Sequence, residues 1–106
     1  MISINQFKEL EIIVAQIKEV KVHPNADKLY VIKVDTGTAE KQLIAGIRPV
    51  YTKEELVGKK VIMINNMEPA VIRGEESQGM ILAAGGPENI TLLKPEKDVA
   101  LGSRVK

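Results

Sequence analysis

The sequence predicts a mainly β domain: a small closed barrel of five short strands carrying two short helices. Three observations predict it. Short apolar-alternating runs recur over residues 12–22, 28–36, 42–45, 59–65 and 77–84, the length and period of half-buried strands. Turn formers separate the runs. The apolar phase of the first run slips in the middle, at Lys18-Glu19, as a bulge in a sharply bent strand requires.

Composition bounds the rest. At 106 residues and 44% hydrophobic, the chain can bury one modest core as one domain, residues 1–106. It has no cysteine, which excludes a disulfide scaffold and a thiolate metal site. No segment approaches the ~18 apolar residues of a membrane span. The first ten residues lack the basic start and apolar run of a secretory signal, so a cytoplasmic protein without a membrane partner is expected. Lys+Arg is 15 against Asp+Glu 14; a basic surface therefore requires segregation of charge onto one face. Aromatics are Phe7, Tyr30 and Tyr51, too few for base stacking along a single strand of nucleic acid.

In order, Ser3-Ile4-Asn5-Gln6 has the form of a capping box, so a helix runs from Ile4 to about Glu9 with Phe7 and Leu10 on its buried side. In the first strand Ile13, Ala15 and Ile17 alternate, and past the slip Val20 and Val22 carry the phase on. His23-Pro24-Asn25-Ala26-Asp27 is a turn, with His23 held extended by Pro24. In the second strand Tyr30, Ile32 and Val34 share one face; Val31, Lys33 and Asp35 share the other. Gly37-Thr38 turns the chain into the third strand, which ends at Gly46. Thr52-Lys53-Glu54-Glu55 starts a second helix that stops at Gly58. The fourth strand ends before Pro69, which cannot donate to a ladder. Residues 66–76 read as an exposed loop, and the fifth strand runs from about Ser77 to Ala84. Ile90 to Leu93 adds a short strand and Leu101 to Val105 closes the chain. Five strands with a helix between the third and fourth is the plan of the OB-fold, a Greek-key barrel that binds oligonucleotides with its strand 2–3 face and the loops after strands one and four.

Two segments carry a resemblance. His23-Pro24-Asn25-Ala26-Asp27-Lys28-Leu29-Tyr30, followed by Val34-Asp35-Thr36-Gly37, is similar to the first of these loops in tRNA-binding OB domains. Arg73-Gly74-x-x-Ser77-x-Gly79-Met80 resembles the second. The family includes the β subunit or C-terminal domain of methionyl-tRNA synthetase, a structure-specific tRNA-binding protein and part of the endothelial monocyte-activating polypeptide precursor. The likeness extends from Phe7 to Val105. It implies tRNA contacts at Asn66, Arg73, Ser77 and Met80. Relatives often have Lys-Pro-Ala-Lys where this chain has Glu68-Pro69-Ala70-Val71, a loss of two positive charges and a gain of one negative.

By residue type alone these positions stay open. Arg73 can pair with Glu75 or Glu76, Asn66 can cap a turn, Ser77 and Gly79 can serve a bulge, and Met80 can fill the core. Lys28, Lys33, Lys41, Arg48, Lys59, Lys60 and Arg73 are the candidates for a basic face. Arginine suits phosphate because its planar fork donates two parallel hydrogen bonds, and folded RNA is read largely by shape and backbone. The resemblance thus implies a tRNA-binding accessory module that does not read the anticodon. It would act as a homodimer through the N-terminal helix (residues 1–10) and the extension over residues 85–106. It could serve a separate catalytic synthetase chain. His23 is the only histidine, so a multi-histidine zinc site is excluded within one chain. No cofactor or metal is expected. No nucleophile–base set or phosphate-cradling glycine loop argues for an enzyme in its own right. The alternative is a chaperone-like, dimeric protein-interaction module of the same fold.

Overall fold

The computed structural model describes all residues, 1–106. The elements are α1 (Ile4–Lys8), β1 (Ile12–Val22), β2 (Tyr30–Asp35), β3 (Glu40–Ala45), α2 (Lys53–Leu56), β4 (Lys60–Ile64), β5 (Ala70–Ile72), β6 (Glu75–Ser77), β7 (Met80–Ile81), β8 (Ala83–Ala84) and β9 (Thr91–Leu92). The main sheet is antiparallel in the order β3-β2-β1-β4-β7.

Both helices begin where local chemistry puts them. Ser3 and Gln6 close one capping box, Thr52 and Glu55 the other, each satisfying two otherwise unpaired N–H groups. The predicted bulge is present: the β1–β2 register shifts between Ile17 and Glu19. This lets Ile17 and Val20 both face inward, whereas Val22, expected to continue that phase, reaches the end of the barrel and is exposed.

The core comes from the alternation. Ile13, Ala15, Ile17, Tyr30, Ile32, Val34, Leu43, Ala45, Val61 and Met63 line the barrel interior, and Leu56 of α2 plugs one end with no exposed surface. Each large side chain so buried contributes about 1.5–3 kcal/mol. Tyr30 Oη donates to the Tyr51 carbonyl at 2.7 Å, and the Leu92 N–H donates to Tyr51 Oη at 3.1 Å. That bond, with one from Thr91, holds the Tyr51 phenol below its ordinary value of 10.0 despite burial.

Four expectations need correction. Residues 66–76, read as an exposed loop, are exposed but paired: β5 and β6 form a hairpin there, with Ile72 opposite Glu75. The fifth strand is interrupted, since β7 and β8 are each two residues long. The seam with β3 is instead closed by single bonds: Gln78 N–H to the Gln42 carbonyl, Gln42 N–H to Gln78 Oε1 and Ile44 N–H to Ser77 Oγ. Part of the extension covers its own barrel. Ile90 and Leu92 pack on the main core, and Leu101 and Val105 pack with Phe7 over Ile12, Val14 and Ile62. Leu10, expected to be buried, lies past the end of α1 and stays exposed, as do Met1, Ile2, Ile4 and Leu93, and α1 itself buries no residue fully. No helix is long and apolar enough to cross a membrane.

Candidate functional site

The β5–β6 turn is Ile72-Arg73-Gly74-Glu75. A two-residue hairpin loop of type I′ has positive φ at both central residues and favours Asn-Gly. Here Arg73 has φ 53° and Gly74 φ 92°, and Arg73 is the one non-glycine residue with positive φ. An arginine therefore occupies a left-handed position that its Cβ disfavours. Its side chain is exposed at the hairpin tip.

The tip is fastened to the turn between β1 and β2. Asn25 Nδ2 donates to the Arg73 carbonyl at 3.2 Å. His23 Nε2 lies 2.9 Å from the Ile72 carbonyl, and Asn25 N–H meets His23 Nδ1 at 2.9 Å. An N–H can only donate to a lone pair, so the network assigns the proton to Nε2, which donates to Ile72. His23 is 2% exposed. Beyond holding a turn, it joins two segments 49 residues apart.

The two segments together bound a depression lined by Asn25, Ala26, Asp27, Lys28, Leu29 and Arg73. Arg48 reaches the same turn, donating to the Asp27 carbonyl at 2.8 Å. The protein forms two ion pairs, Lys21–Glu19 and Lys60–Asp98. Hence Arg73, Lys28 and Arg48 hold no carboxylate partner, and the alternative open to Arg73, pairing with Glu75 or Glu76, does not form. Beside this end, a groove over the outer face of β1–β3 is lined by Lys21, Lys33, Gln42, Glu19 and Glu75, with Val22, Pro24 and Val31. Sequence reading did not single out Lys21; its signal was the bulge, which turns the last residues of β1 so that Lys21 faces outward opposite Val31.

The other candidates lie elsewhere or are spent on the fold. Asn66 accepts from Glu11 N–H and donates to the Glu9 carbonyl, both at 2.8 Å, tying α1 to the end of β4. Ser77 is buried; its hydroxyl accepts from Ile44 N–H and donates to the Gly79 carbonyl. Met80 is half exposed opposite Ile64, beyond the hairpin base. Lys41 Nζ donates to the Asn65 carbonyl at 2.9 Å. Lys60 opens β4 opposite Gln16, with Lys59 just before it, well back along β1 from the clasped end, in a depression shared with Lys94 and Lys97. Lys60 there donates to Asp98 and to the Val99 carbonyl. The seven basic candidates thus do not form one face. Arg73, Lys28 and Arg48 come together, Lys33 lines the neighbouring groove, and Lys41, Lys59 and Lys60 stand apart.

Comparison with known proteins agrees with this architecture. Residues 12–104 match the family described as "Putative tRNA binding domain". Methionine–tRNA ligases of Thermococcus onnurineus and Thermococcus kodakarensis are 48% and 50% identical over 105 residues, 99% of this chain. The chain spans 14% of the length of those enzymes. Among solved structures, a MetRS-related protein from Pyrococcus horikoshii superposes with a TM-score of 0.92 at 30% identity, covering 100% of this chain and 98% of that one. A CsaA chaperone protein from Picrophilus torridus gives 0.92 at 32% identity, covering 100% of both chains. The C-terminal domain of Plasmodium vivax p43 gives 0.83 at 36%, covering 90% of this chain and 58% of that one. The chain belongs to the tRNA-binding domain family, as a homologue of a segment of methionyl-tRNA synthetases.

Proposed function

We propose that this domain binds the backbone of folded tRNA with the clasped end of its barrel, as a non-catalytic accessory to a methionine–tRNA ligase. The observation that carries the reading is the convergence of Arg73, Lys28 and Arg48 from three separate segments, with no carboxylate pairing any of them. Cations left free of carboxylate partners suit phosphates, whose contacts position a protein without reading sequence. Lys33 and Lys21 extend the positive surface into the groove, where Glu19 and Glu75 moderate it. Three aromatic residues, with Tyr30 buried and Tyr51 committed to hydrogen bonds, favour docking on a folded shape over threading of a single strand. Tethered to a synthetase in cis or in trans, even a weak site raises the effective concentration of tRNA.

The test is Arg73→Ala. Binding of unrelated tRNAs should weaken alike, by about tenfold for the loss of one charge-assisted contact. The log–log salt slope should fall by roughly 0.7–0.9, one phosphate's share. Thermal stability should change by no more than about 0.5 kcal/mol, since the side chain is exposed. Unchanged affinity and slope with the fold intact would remove this end as the binding surface.

A second reading, a protein-interaction module, is favoured by the apolar side chains the hairpin leaves in solvent. Val71 is 71% exposed and Ile72 37%. The likeness to a CsaA chaperone protein points the same way. Either reading accommodates a homodimer through the exposed Met1, Ile2, Ile4 and Leu10, which would bury apolar surface across a two-fold axis. Light scattering that finds a monomer at micromolar concentration would refute the dimer.

A further inference from the structure

We propose that His23 is the positioning residue of this surface: its neutral imidazole clasps the β5–β6 turn to the β1–β2 turn and so aims the Arg73 guanidinium. The inference rests on the tRNA-binding reading of that end.

Three observations carry it. First, the imidazole is saturated. Nδ1 accepts from Asn25 N–H and Nε2 donates to the Ile72 carbonyl, each at 2.9 Å, in a side chain 2% exposed. A buried polar group so completely paired rigidifies the segments it joins. Second, the carbonyl it holds belongs to the residue just before Arg73, and Asn25 Nδ2 holds the carbonyl of Arg73 itself. Two consecutive peptide units at the tip are thus fastened from one turn. Third, Arg73 sits at φ 53°, where a non-glycine residue persists only if the surroundings over-determine it. The two-residue closure at Ile72–Glu75 demands this conformation, and the clasp holds the turn's two carbonyls in it from outside the hairpin. Without the clasp the turn can relax away from its left-handed pair, and the arginine must be reordered on binding, which weakens affinity.

The same geometry sets the chemistry that position 23 requires. A side chain must reach Ile72 with a donor; the acceptor for Asn25 N–H is local to the turn. Asparagine can reproduce the local acceptor but is too short for Ile72. Glutamine can place an amide N–H where Nε2 lies. The contrast separates the clasp from the turn itself.

The experiment is a double-mutant cycle with unfractionated tRNA as probe, read by equilibrium binding and by thermal denaturation of the same samples. Expected results are a loss of about tenfold for His23→Asn, comparable with Arg73→Ala, and recovery to within about threefold of the parent for His23→Gln. In the Arg73→Ala background, His23→Asn should cost almost nothing further, because there is no guanidinium left to aim. Amide resonances of Arg73 and Gly74 should shift or broaden in His23→Asn and return in His23→Gln. The proposal is overturned if His23→Gln binds no better than His23→Asn while both are folded. It is overturned equally if His23→Asn weakens binding by the same factor with and without Arg73, the mark of a merely structural role. If His23→Asn does not fold, His23→Gln alone decides, since parental affinity and parental Arg73 and Gly74 resonances are required of it. Failure of Arg73→Ala to weaken binding refutes the site reading instead, and is seen in the same cycle before any His23 result is read.

Discussion

The two basic regions of this barrel use the same residue types in opposite ways. At the clasped end, neutral side chains hold the backbone: His23 and Asn25 take the Ile72 and Arg73 carbonyls. The Arg73 and Lys28 heads are left to solvent, and Arg48 spends one N–H on a carbonyl. At the other region the cation itself holds the chain. Lys60 ties β4 to Asp98 and the Val99 carbonyl, and only 25% of its side chain is exposed. Lys41 likewise fastens β3 to the Asn65 carbonyl. A lysine that satisfies a carbonyl and a carboxylate is a poor anion receptor, because a phosphate must displace bonds already made. Counting basic residues therefore overstates the binding surface; asking what each head already touches divides it.

The clasped end stands or falls with the backbone that mounts it. Both the hairpin and the β3 seam depend on the backbone passing close by at Gly79. A Cβ there would lie 2.8 Å from the Ile64 carbonyl oxygen, 2.8 Å from Met63 Cε and 3.1 Å from Leu43 Cδ2. Met63 and Leu43 are fully buried, so neither can step aside freely. Gly79→Ala should destabilise the fold by about 2–3 kcal/mol through overpacking, seen as a lowered urea midpoint, and should weaken tRNA binding only as far as the fold is lost. An unchanged midpoint would show that the seam is slack.

Lys60→Ala should lower stability by about 0.5–1 kcal/mol, a value held down because Asp98 is largely exposed and the pair is screened. Its effect on tRNA affinity should stay within about twofold, against the tenfold expected for Arg73→Ala. The outcome that would sink the division is the reverse pattern, with Lys60→Ala losing affinity and salt slope while its denaturation curve is unmoved.

Much of the fold was determined by the sequence alone because its signals are local. Each capping box lies within four consecutive residues, Ser3–Gln6 and Thr52–Glu55. The β1 bulge is a slip in alternation visible at Lys18-Glu19, and the register shift lies there. The β2 faces were legible from Tyr30, Ile32 and Val34, all buried. The family's two motifs marked the two turns that meet at the candidate surface. Tertiary structure alone decided what each motif residue does. Asn66 reads as a turn cap or a tRNA contact until it meets the backbone of Glu9, 57 residues away. Ser77 reads as bulge chemistry or a tRNA contact until Ile44 needs an acceptor across the seam. His23 reads as a turn residue until Ile72 arrives. The physical reason is common to all three. A polar side chain's role is set by which unpaired backbone group is brought within about 3 Å of it, and over such sequence separations only the closed barrel brings them together.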